Sequence, residues 1–332
     1  MQVENYLKIH QPIIYQTFVN SLKTNRLSHA YLLSGNPGTP LLEIAKYLAK
    51  SILCDDPSPL ACNSCITCLR VDDDNYPDLF LFDGSKSTIG KDNVTTIESA
   101  FDKKAFESKG IRIYILHLVE NMTIEAVNSI LKFLEEPGSQ VYAFLTTNNE
   151  NSILPTILSR CQVLKLKLTE RREVIKEAYA LGVNQDDGEL LSYFYNCGEL
   201  IYDILSDEDD KERYLDVKNT YESLLDSLRE NDFNKAIYFA EKNITPSIKT
   251  KESMRLFIDI LIQTFEDLLN IQNHCDIYLK SYEESLRDLA NKLPHIQESL
   301  IELLKNRSLI NANVSTALLC DHIINFITKE SI

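Results

Sequence analysis

Short apolar runs alternate with amphipathic stretches over the first half of the chain. His29-Ala-Tyr-Leu-Leu33 is a compact apolar run that ends in the turn formers Ser34-Gly35-Asn36-Pro37-Gly38. A helix is predicted to follow, with Leu41, Ile44, Ala45, Leu48 and Ile52 on one face. Asp78–Phe82, Ile111–Val119 and Val141–Thr147 have the composition of buried strands. Between the last two, Ile124, Val127, Ile130, Leu131 and Leu134 make a helical stripe, with Thr123 as its cap and Pro137-Gly138 as its stop. Apolar strands alternating with helices imply a parallel sheet covered on both faces.

Beyond about Leu168 the strand signal fades. Thr169–Leu205 accommodates a few short helices, and Ser206-Asp-Glu-Asp-Asp-Lys-Glu212 is a charged, solvated stretch suited to a boundary. Everything from Arg213 onward reads as helix. Ser253–Ile271 carries a broad apolar face at Phe257, Leu261, Phe265 and Leu268, and Asn313–Ile327 repeats it with Val314, Ala317, Leu318, Ile324 and Ile327. The predicted plan is an α/β domain over residues 1–167, a small helical lid over 168–208 and a helical C-terminal domain over 209–332.

Composition narrows the class. With 44% hydrophobic and 25% charged residues, the 332-residue chain is an ordinary globular one. Apolar runs such as Ala30–Leu33 fall far short of the ~20 residues of a membrane span. Met1-Gln-Val-Glu-Asn5 lacks a basic segment leading into an apolar one, so no signal peptide and a cytoplasmic location are expected. Acids outnumber bases 49 to 34, for a net charge of −15. Duplex binding relies on cations that neutralise phosphates, so this chain is not expected to grip DNA unaided; partners would supply most of any contact.

Four of the eight cysteines, Cys54, Cys62, Cys65 and Cys68, lie within fifteen residues. In a reducing compartment such spacing is not a disulfide framework. Four thiolates suit a closed tetrahedral zinc site with no position open for catalysis, so the metal, Zn2+, would be structural. The alternative is a loop of unliganded thiols. Cys161, Cys197, Cys275 and Cys320 are scattered and read as small buried hydrophobes.

Gly35-Asn36-Pro37-Gly38-Thr39-Pro40-Leu41-Leu42 stands where a phosphate-binding loop belongs, after a strand and opening a helix. A working loop is G-x-x-x-x-G-K-[ST], whose N–H groups cradle phosphates, whose lysine neutralises them and whose hydroxyl ligates magnesium. Here Pro40, Leu41 and Leu42 replace the second glycine, the lysine and the hydroxyl. Proline offers no N–H, although it fits the first turn of a helix. Alone, the loop reads equally as an ordinary strand-to-helix turn. The strand Ile113–Leu116 continues into His117-Leu118, where a working ATPase of this class places adjacent acids, and imidazole is a poor ligand for magnesium. His117 is expected to be partly buried, and Glu120 to be a surface or salt-bridging acid. Both motifs fail in the same direction, so no ATP hydrolysis is expected.

Asn25–Gly35, the cysteine insert, Asn128-Ser-Ile-Leu-Lys-Phe-Leu-Glu-Glu-Pro137 and Leu154-Pro-Thr-Ile-Leu-Ser-Arg-Cys-Gln162 together resemble the delta-prime subunits of the bacterial DNA polymerase III clamp loader, members of the AAA+ superfamily. The resemblance is close from about His10 to Lys165 and looser beyond, where Asn311-Ala-Asn313 fits the pattern. It implies an AAA+ parallel-sheet domain with a zinc-binding insert, a helical lid and an all-α collar. It also implies a hetero-pentamer with gamma/tau-type ATPase and delta-type subunits, which sets a sliding clamp on primed DNA as part of the polymerase holoenzyme. Delta-prime subunits are implied to be stators that lend an arginine finger to a neighbour's nucleotide site. The Ser-Arg-Cys motif that carries it is here Ser159-Arg160-Cys161. On residue chemistry alone, Arg160 reads equally as a structural arginine bonded to a helix end. Thr146, Thr147 and Asn148 stand where active relatives keep a sensor and are expected to form a turn. Asn196–Leu205 holds no Lys or Arg, so the second sensor arginine is missing. The alternative reading of the whole is a zinc-stabilised scaffold with no nucleotide contact.

Overall fold

The computed structural model describes residues 2–101, 104–136, 138–229, 248, 250–293, 295–310 and 315–327. Pro137, Val314 and Asn311-Ala-Asn313, used above, lie outside them. The chain divides into two compact units, 1–169 and 170–332.

The first unit is built on a five-stranded sheet in the order β2-β3-β4-β1-β5, with every pairing parallel. Its strands are β1 (Ala30–Ser34), β2 (Leu79–Asp83), β3 (Arg112–His117), β4 (Val141–Thr147) and β5 (Gln162–Lys165). Side chains alternate between the faces of a strand. Ala30 and Leu32 of β1 therefore enter a core with Ile97, Tyr114, Leu116 and Ile130. Tyr31 points the other way, stacking on Phe144 at 5.3 Å and meeting Phe18 edge-on at 5.5 Å. β1 sits between β4 and β5, so the strand ends Ser34, Thr147 and Lys165 come level. Asp83 and His117 are likewise level at the ends of β2 and β3.

Helices of this unit are α1 (Val3–His10), α2 (Pro12–Lys23), α3 (Leu41–Leu53), α4 (Ile66–Asp72), α5 (Lys91–Phe101), α6 (Ile124–Glu135) and α7 (Pro155–Leu158). All five apolar positions predicted for α3 are buried. In α6, Thr123 caps the start as predicted, accepting from the N–H of Ala126. The stripe is shifted, however. Ile124 is 77% exposed, and Ala126, Ile130 and Leu134 make the buried line.

The second unit is helical among the described residues. It opens with α8 (Arg171–Ala180), α9 (Gln185–Leu191) and α10 (Gly198–Ser206). α11 (Glu208–Arg229) and helices over Lys251–Gln272, Glu283–Lys292, Ile296–Leu309 and Thr316–Ile327 follow. Val174, Ala178 and Ile201 share one core with Tyr214, Phe257, Leu261 and Phe265. The acidic run Ser206–Glu212 spans the junction of α10 and α11. Asp207 accepts the N–H of Asp210 at 3.0 Å, and Glu208, Asp209 and Asp210 occupy the positive end of the α11 dipole. In the last helix Leu318 is 67% exposed, against the sequence expectation, while Leu319, Cys320, Ile323, Ile324 and Ile327 are buried. Of the scattered cysteines, Cys197 and Cys320 are buried as expected, Cys161 is half-buried, and Cys275 is exposed.

A buried carboxylate organises this unit. Asp267 is fully buried and accepts the N–H groups of Tyr278 (3.0 Å) and Leu279 (2.8 Å). Asp267→Ala leaves both donors orphaned in the core, at about 1–3 kcal/mol each. Urea unfolding of the full chain should register a loss of roughly 2–6 kcal/mol for this variant, and a loss below about 1 kcal/mol would contradict the account.

Candidate functional site

Three clusters of sequence-predicted residues lie in the first unit. The cysteine module follows directly from the end of α3. Cys54 caps that helix, and Cys65 caps α4, its sulfur accepting the N–H of Cys68 at 3.4 Å. The Sγ atoms of Cys54, Cys62, Cys65 and Cys68 all lie within 4.8 Å of one another. Individual separations are 3.5 Å (Cys54–Cys62), 3.9 Å (Cys54–Cys65) and 4.0 Å (Cys62–Cys68). Tetrahedral zinc with 2.3 Å arms needs sulfurs about 3.8 Å apart, so the donor set fits that ion. Backbone N–H groups of Cys62 and Cys65 point at Cys54 Sγ and Cys62 Sγ, a polarity suited to thiolates. The N–H and hydroxyl of Ser64 draw the Cys62 thiol down to about 6, whereas burial pushes Cys54 and Cys68 up. A cation among the four supplies the charge that burial otherwise opposes.

Side chains that sequence reasoning passed over brace this module. Lys109 Nζ donates to the carbonyls of Leu53 (2.6 Å) and Cys54 (2.8 Å), closing the C-terminus of α3, and pairs with Asp55 at 2.8 Å. Asp55 in turn accepts the Thr67 hydroxyl at 2.8 Å. Asp78, 2% exposed, accepts the N–H groups of Phe106 and Glu107 and fixes the loop that carries Lys109.

The second cluster lies at the C-terminal ends of β1, β3 and β4, the edge at which open parallel sheets bind ligands. Gly35 donates its N–H to Thr147 O at 3.2 Å, and Gly38 takes φ +85°, a backbone that glycine permits. Pro40 stands just ahead of α3. A Cβ on Gly35 would meet Thr39 Cγ2 at 3.1 Å and Leu41 Cδ2 at 3.2 Å. The side chains of Thr39 and Leu41 therefore fill the space over the loop. Leu41, at the lysine position, is 1% exposed.

Next to the loop, His117 Nδ1 lies 2.8 Å from Thr146 Oγ1, which also accepts the N–H of Leu118 at 2.9 Å. The threonine hydroxyl thus joins the imidazole to the backbone of Leu118. Burial lowers the pKa of His117, against the opposing charges of Asp83, Glu43 and Glu120. Thr146 and Thr147 are fully buried in β4, and Thr147 Oγ1 accepts the N–H of Asn149 at 3.0 Å as the chain turns. Glu120 is not the surface or ion-paired acid expected. Its Oε1 accepts the N–H of Asn148 at 2.8 Å, and its Oε2 is buried without a hydrogen-bond partner.

Arg160 stands apart from both, following α7. Its Nη1 donates to Thr156 O at 2.8 Å and to Ser159 Oγ at 3.3 Å, and its Nη2 pairs with Glu135 Oε1 at 2.6 Å. The side chain keeps 30% of its surface in solvent and that of Glu135 keeps 52%. Sequence reasoning does not single out Glu135. The available signal was an acid in the last turn of α6, where the helix dipole disfavours it.

Residues 10–170 match the family model described as DNA polymerase III, delta subunit. DNA polymerase III subunit delta' of Bacillus subtilis is 28% identical over 318 residues, 95% of each chain. The gamma subunit of Buchnera aphidicola (subsp. Baizongia pistaciae) is 34% identical over 169 residues, half of this chain and 45% of that one. The B. subtilis tau subunit is 31% identical over 193 residues, 55% of this chain and 34% of that one. The crystal structure of a gamma subunit-related protein from Thermotoga maritima superposes with a TM-score of 0.51 at 18% identity, over 95% of this chain and 98% of that one. That likeness is one of fold: a parallel sheet followed by helices.

A histidine held neutral by burial makes stability depend on pH. Its folded pKa lies below the ordinary 6.5, so the unfolded chain binds more protons in the interval and stability falls as pH drops through it. Thermal melts of the full chain should show a decline from pH 6.5 downward that is shallower in His117→Asn. Parallel declines would place the effect elsewhere.

Proposed function

From these likenesses we propose that the chain is a clamp-loader subunit of DNA polymerase III, and that it is the loader's non-catalytic stator, donating Arg160 to the nucleotide site of a neighbouring subunit. The observation that carries this reading is a phosphate loop packed by its own Thr39 and Leu41 against Gly35, together with an arginine, apart from that loop, that remains partly in solvent. A loop closed in this way supports a subunit without ATP turnover of its own. Pro40, Leu41, Leu42 and His117 each remove a group that hydrolysis requires.

A donor subunit needs only a cation at the right surface. A guanidinium presented to a γ-phosphate offsets charge in the transition state, an effect on the order of 10³–10⁵ in rate. Arg160 follows a helix of four residues begun by Pro155, a short and constrained support. In this reading residues 168–208 serve as the lid and 209–332 as the collar of a hetero-pentamer with gamma/tau-type ATPases and a delta-type subunit. The assembled loader, in the cytoplasm, meets the sliding clamp and primed DNA. The net charge of −15 fits a subunit that leaves DNA contact to its partners. The cysteine module carries structural zinc, held by Cys54, Cys62, Cys65 and Cys68; no described helix is long and apolar enough to cross a membrane.

Two measurements test this. Metal analysis of the purified chain should return one zinc, lost in Cys62→Ser; zinc-free wild-type protein would remove the metal. In the reconstituted loader with clamp and primed DNA, Arg160→Ala should lower turnover at the site it serves by roughly 10³-fold or more, with assembly intact by gel filtration. Unchanged turnover would leave a zinc-braced scaffold whose arginine is structural.

A further inference from the structure

Glu135 occupies the place on Arg160 that a phosphate oxygen would take. Its Oε1 lies 2.6 Å from Arg160 Nη2, while Thr156 O and Ser159 Oγ hold Nη1. Carboxylate and phosphate oxygens are equivalent acceptors for the guanidinium fork, so one N–H edge cannot serve both fully at once. Helix stability does not account for the acid. Glu135 is the last residue of α6, where a negative charge opposes the dipole, and its side chain is half in solvent.

We propose that Glu135 is a latch: an intramolecular phosphate mimic that holds Arg160 docked on its own subunit until a neighbour's nucleotide displaces it. This deepens the stator reading above and rests on it. An exposed ion pair favours its closed form by a factor of only about 1.4 to 5. The latch is therefore weak by design. A γ-phosphate carries more charge than the carboxylate and lies in a less hydrated site, so it wins the competition once the neighbour is loaded. With the neighbour empty, the carboxylate keeps the arginine ordered and its charge neutralised. The finger's effective affinity is reduced by the closed fraction, as for any binding-competent state that is only partly populated.

Glu135→Gln tests this with little risk to folding, because it keeps the shape and an acceptor oxygen while removing the charge. Arg160→Ala and the double variant complete a cycle in the reconstituted loader, with ATP turnover measured without clamp or DNA and ATP concentration varied. A latch predicts that Glu135→Gln raises turnover at sub-saturating ATP by up to about 2.4- to 6-fold, and that the gain vanishes in the Arg160→Ala background. If Arg160→Ala abolishes turnover at its site but Glu135→Gln leaves it unchanged or lowers it, the finger stands and the latch is overturned; a fall in kcat alone would make Glu135 a positioning residue. If neither variant changes turnover, finger and latch fall together. A gain that persists without Arg160 would also overturn the latch.

Discussion

An open parallel sheet leaves a crevice beyond the carboxyl ends of its strands, and that crevice must be filled. Backbone groups there point out of the ladder, and the strand-to-helix turns cannot close over them without help. In a nucleotide-binding relative of this architecture the phosphates supply the missing partner. In this chain the side chains do. Thr39 and Leu41 fill the space above Gly35, the Thr146 hydroxyl joins His117 to the Leu118 N–H, and Glu120 takes the N–H of Asn148. The ends of β1, β3 and β4 are thereby tied into one another by contacts present at all times.

That self-sufficiency has a mechanical consequence. A loop that closes around phosphate changes shape as the ligand comes and goes, because the ligand supplies contacts in one state and not the other. A loop sealed by a leucine with 1% of its surface exposed has no such alternation. The same holds for the cysteine module, where Lys109 ties the α3 terminus to Asp55 and Asp78 fixes the loop that delivers Lys109.

Much of this was legible in the sequence, and the reasons for the failures are physical. β4 and the burial of α3 followed from long apolar patterns. β5 was missed, since Gln162-Val-Leu-Lys165 is four residues of mixed polarity at a sheet edge, too short for periodicity to speak. The phase of α6 was misjudged because Ile124 belongs to the apolar stripe by spacing, whereas the small Ala126 in the same turn is the residue that faces the core. Leu318 and Cys275 are apolar or thiol residues that tertiary structure leaves in solvent, which composition cannot foretell. The clustering of Cys54, Cys62, Cys65 and Cys68 was legible because four sulfurs in fifteen residues leave few alternatives. The surroundings of Arg160 were not, since Glu135 is 25 residues distant in sequence and only the fold brings it within 2.6 Å.

In the proposed reading, loss of the phosphate loop and retention of the arginine place opposite demands on the structure. Sealing a site favours burial, and Leu41 is sunk into the core. An arginine that acts on another subunit must stay at the surface, where water screens its charge and any partner holds it weakly. The chain meets the second demand with a short helix opened by Pro155, a carbonyl at Thr156 and an acid at the end of α6, all of which orient the guanidinium without enclosing it. Had Arg160 been buried with its acid, separating the pair would leave an uncompensated charge, and the side chain could not be exchanged between partners. Partial exposure is therefore a condition for an arginine that acts across an interface.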